Sequence, residues 1–401
     1  MRLTQGAIKD FSLGIYDGPH ATPKESEEGP IFLGIKNVRS EGGLDLSEIR
    51  HISENEYPRW TKRVVPQEGD IVFSYEATLH RYAKIPEDFR GCLGRRMGLV
   101  RPDPRKLDSS YLLYYFLGTK WRSEVESHVI TGATVDRVPI KDFPDFRVSF
   151  PPLPIQTRIA DILSAYDDLI ENNKRRMQLL EEAARQLYRE WFVRLRFPGH
   201  EHTKVVDGLP EGWERSSASE AISVNPRTKL SDNQTHPWVE MADLPTNFMV
   251  VSRYSHREGR TGSKFRNGDT LLARITPCLE NGKTAYVNFF GENETGRGST
   301  EFIVLRPRKL TPEMTYLLAR TYDFRENAIK SMVGSSGRQR VQESCFEKFI
   351  LAVPPPPLQA AFTETVRPMF GQIRNLTLQN QKLRAARDLF LPKLMNGEIA
   401  V

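Results

Sequence analysis

Apolar and polar positions along the chain fall into one arrangement that occurs twice. Short alternating or apolar runs, such as Ile71-Val72-Phe73-Ser74-Tyr75, Leu271-Leu272-Ala273-Arg274-Ile275 and Glu301-Phe302-Ile303-Val304-Leu305, lie between clusters of Gly, Pro, Asn and Asp and predict strands. Helical patterns interrupt them from Ser110 to Ser127 and from Pro312 to Met332. That mixture predicts an α+β fold. After Pro154 the chain then runs about forty residues without proline or glycine, to Pro198. Its apolar positions are Ile155, Ile159, Ile162, Tyr166, Leu169, Met177, Leu180, Ala184, Leu187 and Trp191, with Asn173 in the gap, a mean spacing of 3.6. A seam of this length needs a partner helix. Leu358, Phe362, Val366, Phe370, Ile373, Leu376, Leu383, Ala386, Phe390 and Leu394 supply one, with Pro368 expected to kink its early part. Each helix would be about 55 Å long. The alternative is two amphipathic helices that each lie on their own globular part. Matching length and position favour mutual, antiparallel packing, with the globular parts at opposite ends of a rod.

Identical landmarks support two copies of one unit. Pro151-Pro152-Leu153-Pro154-Ile155-Gln156 corresponds to Pro354-Pro355-Pro356-Pro357-Leu358-Gln359 at an offset of 203 residues. Arg137-Val138 matches Arg340-Val341, and Phe143 matches Phe346, at the same offset; Gly69-Asp70-Ile71 resembles Gly268-Asp269-Thr270. A period of half the chain excludes a solenoid of short repeats. The expected division is 1–152 and 201–353 for the globular parts, and 153–200 and 354–401 for the long helices.

Composition changes this picture little. The 401 residues are 39% hydrophobic and 27% charged, a globular composition. The net charge of +6 hints at an acidic partner, but it is spread as 0, +1, +2 and +3 over residues 1–150, 151–204, 205–353 and 354–401. Nucleic-acid binding would therefore depend on local patches. Cys92, Cys278 and Cys345 form neither a disulfide framework nor a metal spacing, which predicts a cytoplasmic protein. No signal-peptide stretch opens the sequence, and no apolar run approaches the ~20 residues of a membrane helix.

The usual catalytic constellations do not occur. There is no GxGxxG after a strand, no GxxxxGK[ST], no HExxH and no paired CxxC. His200-Glu201-His202 reads as a solvated linker before it reads as a metal site. Val224-Asn225-Pro226-Arg227 lacks the second proline of the Asn-Pro-Pro-aromatic motif with which amino-methyltransferases hold a target base. An active site within this chain is not expected. What remains is polar and basic loops. The first strand end carries Ser74 and Tyr75 and leads on to Lys84; its counterpart carries Arg274 and leads through a turn to Lys283. Thr131-Gly132-Ala133-Thr134-Val135-Asp136-Arg137 matches Gly334-Ser335-Ser336-Gly337-Arg338-Gln339-Arg340, where glycines, hydroxyls and arginines suit close approach to phosphates and bidentate base contacts. Residues 256–266 form a basic loop that includes Lys264 and Arg266, a candidate phosphate clamp. Ordinary hairpins and solvated charged loops are the competing readings of these segments. The aromatic cluster Tyr188, Trp191 and Phe192 exceeds what a narrow helix seam requires; it is expected either to dock a partner subunit or to pack on its own second domain.

Taken together, two variable α+β halves, each followed by a long helix introduced by a Pro-Pro-x-Pro-x-Gln segment, resemble the specificity subunit of type I restriction-modification systems. The resemblance spans the chain and is most specific over residues 151 to 199; Asp207-Gly208-Leu209-Pro210-Glu211-Gly212-Trp213-Glu214 looks like the opening of a second target-recognition domain, and Asp17-Gly18-Pro19-His20-Ala21-Thr22-Pro23 like a family loop in the first. The second helix departs from the pattern at Pro368 and in its PPPPLQ introduction. The resemblance implies that each globular part reads one half of a bipartite, asymmetric site in double-stranded DNA, with His20 joining the loop residues as a DNA-contact candidate. It implies an antiparallel coiled coil that sets the spacing between the halves. It also implies two modification subunits that carry S-adenosylmethionine, and restriction subunits for translocation and cleavage driven by ATP and Mg. This chain would bind no cofactor. Unlike loop chemistry in the two halves, Arg81-Tyr82-Ala83-Lys84 against Glu280-Asn281-Gly282-Lys283, implies two different half-sites. The alternatives are a stand-alone DNA-modifying enzyme and a coiled-coil scaffold that binds no DNA.

Overall fold

The Gly-Asp landmarks mark where each half turns into its central sheet. Gly69 and Gly268 adopt φ of 83° and 90°, values open to glycine at little cost. The following Asp70 accepts the backbone N–H of Gln67 at 2.8 Å and holds Arg101 through two bonds of 2.8 Å. Asp269 does the same with the N–H of Arg266 at 2.9 Å and with Arg306 at 2.8 and 2.7 Å. Both carboxylates are buried, so each turn is tied to the neighbouring strand by a bidentate, charge-assisted clamp.

The computed structural model describes residues 3–132, 134–230, 235–251, 253–292 and 294–401. It resolves into two compact units, Met1–Leu169 with Leu383–Val401, and Ile170–Lys382. Unit 1 holds an antiparallel sheet in the spatial order Ser12–Asp17, Met97–Pro102, Ile71–Ser74, Tyr82–Lys84. It also holds a three-stranded sheet, Arg50–His51, Ser26–Leu33, Gly91–Leu93, and a pair of strands, Thr4–Ala7 with Arg147–Phe150. Unit 2 holds a sheet in the order Ile222–Val224, Phe302–Pro307, Thr270–Ala273, Thr284–Tyr286, and a strand pair Glu214–Ser217 with Ile350–Val353. Its second sheet has four strands, Ser255–Glu258, Thr235–Val239, Thr295–Gly298 and Ser263–Arg266, in that order.

Each predicted helical stretch is two helices. Ser109–Leu117 and Thr119–Glu126 break at Gly118, and Pro312–Ala319 and Tyr322–Lys330 break where Thr321 turns extended and caps the N–H of Phe324. The long helices are α1 (Leu153–Tyr188) and α2 (Pro356–Asn396), and α2 stays helical through Pro368. Within unit 2, Asn173 donates to Asn380 Oδ1 at 2.9 Å, Met177 neighbours Thr377, and the rings of Tyr188 and Phe362 lie 6.0 Å apart. Ascending positions on α1 meet descending ones on α2, so the segments run antiparallel there. In unit 1, Tyr166 faces Phe390 at 6.1 Å and Asp167 pairs with Arg387. The buried line on α1 departs from the sequence reading. Ile162 and Leu169 are 38% and 51% exposed, whereas Ala160, Leu163 and Ile170 are buried, as is the polar Glu181. The buried stripe follows contacts with the globular cores as well as with α2.

The Pro-Pro-x-Pro-x-Gln landmark also has a physical reason. Gln156, buried at the start of α1, donates to the carbonyls of Lys106 and Pro151 at 3.0 and 2.9 Å, and its Oε1 accepts the N–H of Asp108 at 2.9 Å. Gln359 donates in the same way to Lys309 and Pro354 at 3.0 and 2.9 Å. Each glutamine hooks the helix to the segment that leads into the first globular helix. Gln156→Ala would leave buried main-chain groups unpaired, and unfolding by denaturant is expected to show a loss of about 1–3 kcal/mol in unit 1. A change below ~0.5 kcal/mol would mean that the hook holds nothing. Among the described residues no helix is long and apolar enough to cross a membrane.

Candidate nucleic-acid interface

In each unit the fold brings together two loops that lie far apart in sequence. In unit 1, Ile130 and Arg137 exchange backbone bonds of 2.9 and 3.2 Å, which closes the Thr131–Asp136 segment into a loop. Arg137 also bridges to Glu76, just past the strand that ends in Ser74. Ala77 donates to the carbonyl of Asp136 at 3.0 Å, and Val138 to that of Tyr75 at 2.8 Å. In unit 2, Val333 and Arg340 exchange bonds of 3.0 and 2.9 Å, and Arg340 bridges to Ile275. Thr276 donates to the carbonyl of Gln339 at 3.0 Å, and Val341 to that of Arg274 at 2.9 Å. Both units therefore present a Gly- and hydroxyl-bearing loop stitched to the end of a central strand.

The side chains divide into exposed and engaged groups. Thr131, Thr134 and Arg137 are exposed in unit 1, as are Ser335, Ser336 and Arg338 in unit 2; Gln339 is half-buried. None of these side chains makes a hydrogen bond to a described residue; Ala133, within the first loop, lies outside the described residues. Ser74 is buried, and its hydroxyl donates to the carbonyl of Thr78 across the turn. Tyr75 is buried too, and donates to Asp17 at 2.7 Å. Burial first, and then the carboxylate beside it, push the phenol of Tyr75 up from its ordinary pKa, so it remains a donor. The other oxygen of Asp17 lies 2.7 Å from His20 Nε2 and 3.1 Å from the Arg63 guanidinium. Asp17 thereby gathers His20, Tyr75 and Arg63 at one edge of the sheet. Arg63 was not anticipated, because no local pattern signals a partner 46 residues away.

Lys84 donates to Ser110 at 2.8 Å, and Lys283 to the carbonyl of Met241 at 2.6 Å. Arg274 is half-buried, reaching the carbonyl of Val341 at 3.3 Å and Glu343 at 3.4 Å. Arg340 forms a fork with Glu301 through contacts of 2.7 to 3.0 Å, which holds the Glu301 carboxyl below its usual range. Arg266 is exposed, and Lys264 is half-buried beside a groove of about 600 Å³ that Arg227 and Lys229 also line. The Tyr188, Trp191 and Phe192 cluster packs inside unit 2. All three rings surround Phe362, at 6.0, 5.6 and 4.8 Å, and Phe192 also meets Trp213 at 6.0 Å. A widened helical turn over Arg189–Val193 carries Trp191 and Phe192 inward. Among the described residues no group of His, Cys, Asp and Glu is arranged to hold a metal, and His200 lies 2.8 Å from the carbonyl of Phe197.

Comparison with known proteins adds the following. Residues 31–182 match the model of the type I restriction modification DNA specificity domain. The chain is 25% identical over 363 residues to the type I restriction enzyme MjaIX specificity subunit of Methanocaldococcus jannaschii, a match that covers 88% of this chain and 82% of that protein. It is 32% identical over 184 residues to the EcoAI specificity subunit of Escherichia coli, covering 44% of this chain and 30% of that one. The fold resembles the crystal structure of a type I restriction-modification system S subunit from M. genitalium, with a TM-score of 0.57, 15% identity, and coverage of 98% of this chain and 96% of that one.

Proposed function

From this chain's membership of the type I restriction-modification specificity subunits, we infer that its two globular parts each read one half of a bipartite, asymmetric sequence in double-stranded DNA. The chain is a non-catalytic subunit; in this family the chemistry lies with partner subunits. The observation that carries the two-reader assignment is the paired construction of the loops. Arg137 and Arg340 make the same two bridges, one closing a hydroxyl-bearing loop and one tying it to a central strand end. A strand end plus a rigid loop is a platform that can present side chains to base edges while the frame stays fixed.

On this reading the protein is a pseudo-repeat with globular parts at 1–152 and 201–353, and with spacer helices at 153–200 and 354–401. The helices form an antiparallel coiled coil that sets the spacing of the half-sites and docks two modification subunits. Those subunits bring S-adenosylmethionine; restriction subunits bring ATP and Mg for translocation and cleavage, all in the cytoplasm. Thr131, Thr134 and Arg137 in the first reader, and Ser335, Ser336, Arg338 and Gln339 in the second, are the base- or phosphate-contacting set. Lys264 and Arg266 approach the backbone from the flanks, as do the exposed His20 and Lys84 once they exchange Asp17 and Ser110 for DNA. Ser74, Tyr75, Arg274, Lys283 and Arg340 act mainly by holding the loops, since their polar atoms already have partners. Trp191 and Phe192, only partly buried, are the docking candidates among the three aromatics.

Methylome sequencing of a host carrying this chain with its modification subunits tests the assignment. One bipartite motif with two unlike halves is expected, and exchange of residues 205–353 for those of another specificity subunit is expected to change one half only. Scattered methylation, or methylation by the isolated chain with S-adenosylmethionine, would overturn it.

A further inference from the structure

The second sheet of unit 2 poses a connection problem. Ser255–Glu258 and Ser263–Arg266 are its outer strands, so residues 259–262 must cross the inner strands Thr235–Val239 and Thr295–Gly298. The crossing is tight. Gly262 has a φ of 97°, and a Cβ there would lie 2.2 Å from the carbonyl oxygen of Gly298 and 2.9 Å from the Trp238 ring. Beneath the crossing lies Arg297, only 2% exposed. Its guanidinium donates to the carbonyls of Thr261 at 3.2 Å and Arg257 at 2.7 Å, and also to that of Glu258. It stacks on Trp238 with 4.9 Å to the ring centroid, and Arg257 faces the same ring at 5.2 Å. Arg297 forms no ion pair with a described residue, and its Nε has no hydrogen-bond partner. A buried cation without counter-charge is costly, so its retention calls for a reason.

Peptide planarity supplies one. The carbonyls of Glu258 and Thr261 point at the guanidinium, so the N–H groups of Gly259 and Gly262 point away from it. Neither donates to a described residue. Arg260 is exposed on the crossing, and Lys264, Arg227 and Lys229 border the adjoining groove, none of them in an ion pair with a described residue. Gly262, Lys264, Arg227 and Lys229 line one groove, with Gly259 and Arg260 on the same crossing and the buried Arg297 beneath it; free backbone donors beside unpaired cations are the chemistry of an anion site.

We propose that this arch over Arg297 grips a phosphodiester of the DNA backbone, with Arg260 and Lys264 as contacting cations and Arg297 as a positioning residue that shapes the arch from beneath. The phosphate supplies the counter-charge that the protein itself withholds. The proposal rests on the DNA-reading function inferred above. It is tested with the full chain assembled with its modification subunits, by following the affinity for a duplex carrying the bipartite site as salt is varied. Arg260→Ala is expected to reduce the slope of log affinity against log salt by about 0.9. It is also expected to weaken binding on the order of fivefold at moderate salt, by the same factor on a duplex with a scrambled second half-site, because phosphate contacts carry no base information. Arg297→Met is expected to lose more than Arg260→Ala, and Arg297→Lys, which keeps the charge but cannot span three carbonyls, to fall between them. The methylated sequence stays the same in all three. Unchanged slope and affinity in both Arg260→Ala and Lys264→Ala overturn the arch, as does a changed methylation sequence in either. If the unaltered complex shows no salt-dependent DNA binding, the DNA-reading function fails and the arch with it. Normal binding by the unaltered complex together with indifferent variants removes the arch alone.

Discussion

Glu181→Ala is expected to destabilise unit 2 by about 3–5 kcal/mol, toward the lower end of that range. The carboxylate is 3% exposed on α1 and accepts three donors, the Tyr316 hydroxyl at 2.6 Å, the Met249 N–H at 2.7 Å and the Arg185 guanidinium at 2.5 Å. Removing it orphans a buried hydroxyl, a buried amide and a cation at once. Losing an acceptor costs more than the hydrogen bond gained on folding, because the abandoned donors have already left water. Arg185 retains partial access to solvent, which softens its share. Tyr316 is wholly buried, and burial, the largest cause of its raised pKa, remains when the carboxylate is gone, so the hydroxyl stays protonated and unpaired. For a unit of this size the shift in Tm is roughly 2–4 °C per kcal/mol, and calorimetry should show a fall on the order of 10 °C. A fall under ~2 °C would mean that water reaches this carboxylate and that the three bonds contribute little.

Phe362→Ala is expected to cost a further class of stability, about 3–5 kcal/mol, through lost packing. The ring is fully buried on α2, and Tyr188, Trp191 and Phe192 surround it. Aromatic truncation of this kind leaves a cavity that the three surrounding rings cannot collapse to fill, and the edge-to-face contacts add to the area term. Denaturant unfolding measures the effect. Trp191→Ala is the informative companion, because Trp191, like Phe192, is only partly buried. A smaller loss of stability with weakened assembly would assign its outer face to a partner subunit. An unaltered assembly with reduced stability would confine the cluster to its own unit.

Much of this architecture could be read in the sequence because it rests on local rules. The two long helices followed from spacing, and the Gly-Asp and Pro-Pro landmarks singled out turns whose clamps and hooks are now visible at Asp70, Asp269, Gln156 and Gln359. Features that depend on distant partners could not be read in that way. Ile162 and Leu169 satisfy a helical repeat, yet the core of unit 1 selects Ala160 and Leu163, and Ile170 is buried where Asn380 of α2 meets its carbonyl, since a helix that packs on two surfaces buries more than one seam. Ser74 and Tyr75 stand at the expected strand end, but their polar atoms are taken up by Thr78 and Asp17, contacts that no spacing rule reveals. The aromatic excess at Tyr188, Trp191 and Phe192 was visible, whereas its target, Phe362, lies about 170 residues away. Arg297 gave only a faint signal, an arginine between two glycines in a strand that is buried throughout.

The glutamine hooks have one more consequence. Their acceptors are main-chain carbonyls, those of Lys106 and Pro151 for Gln156 and of Lys309 and Pro354 for Gln359. Such a joint recognises the course of the backbone and is indifferent to the side chains that decorate it. On the proposed division, a foreign globular part put in place of the native one therefore meets an attachment it already satisfies, provided the incoming chain makes the same turn before its first helix. The helix itself does not have to change to receive it.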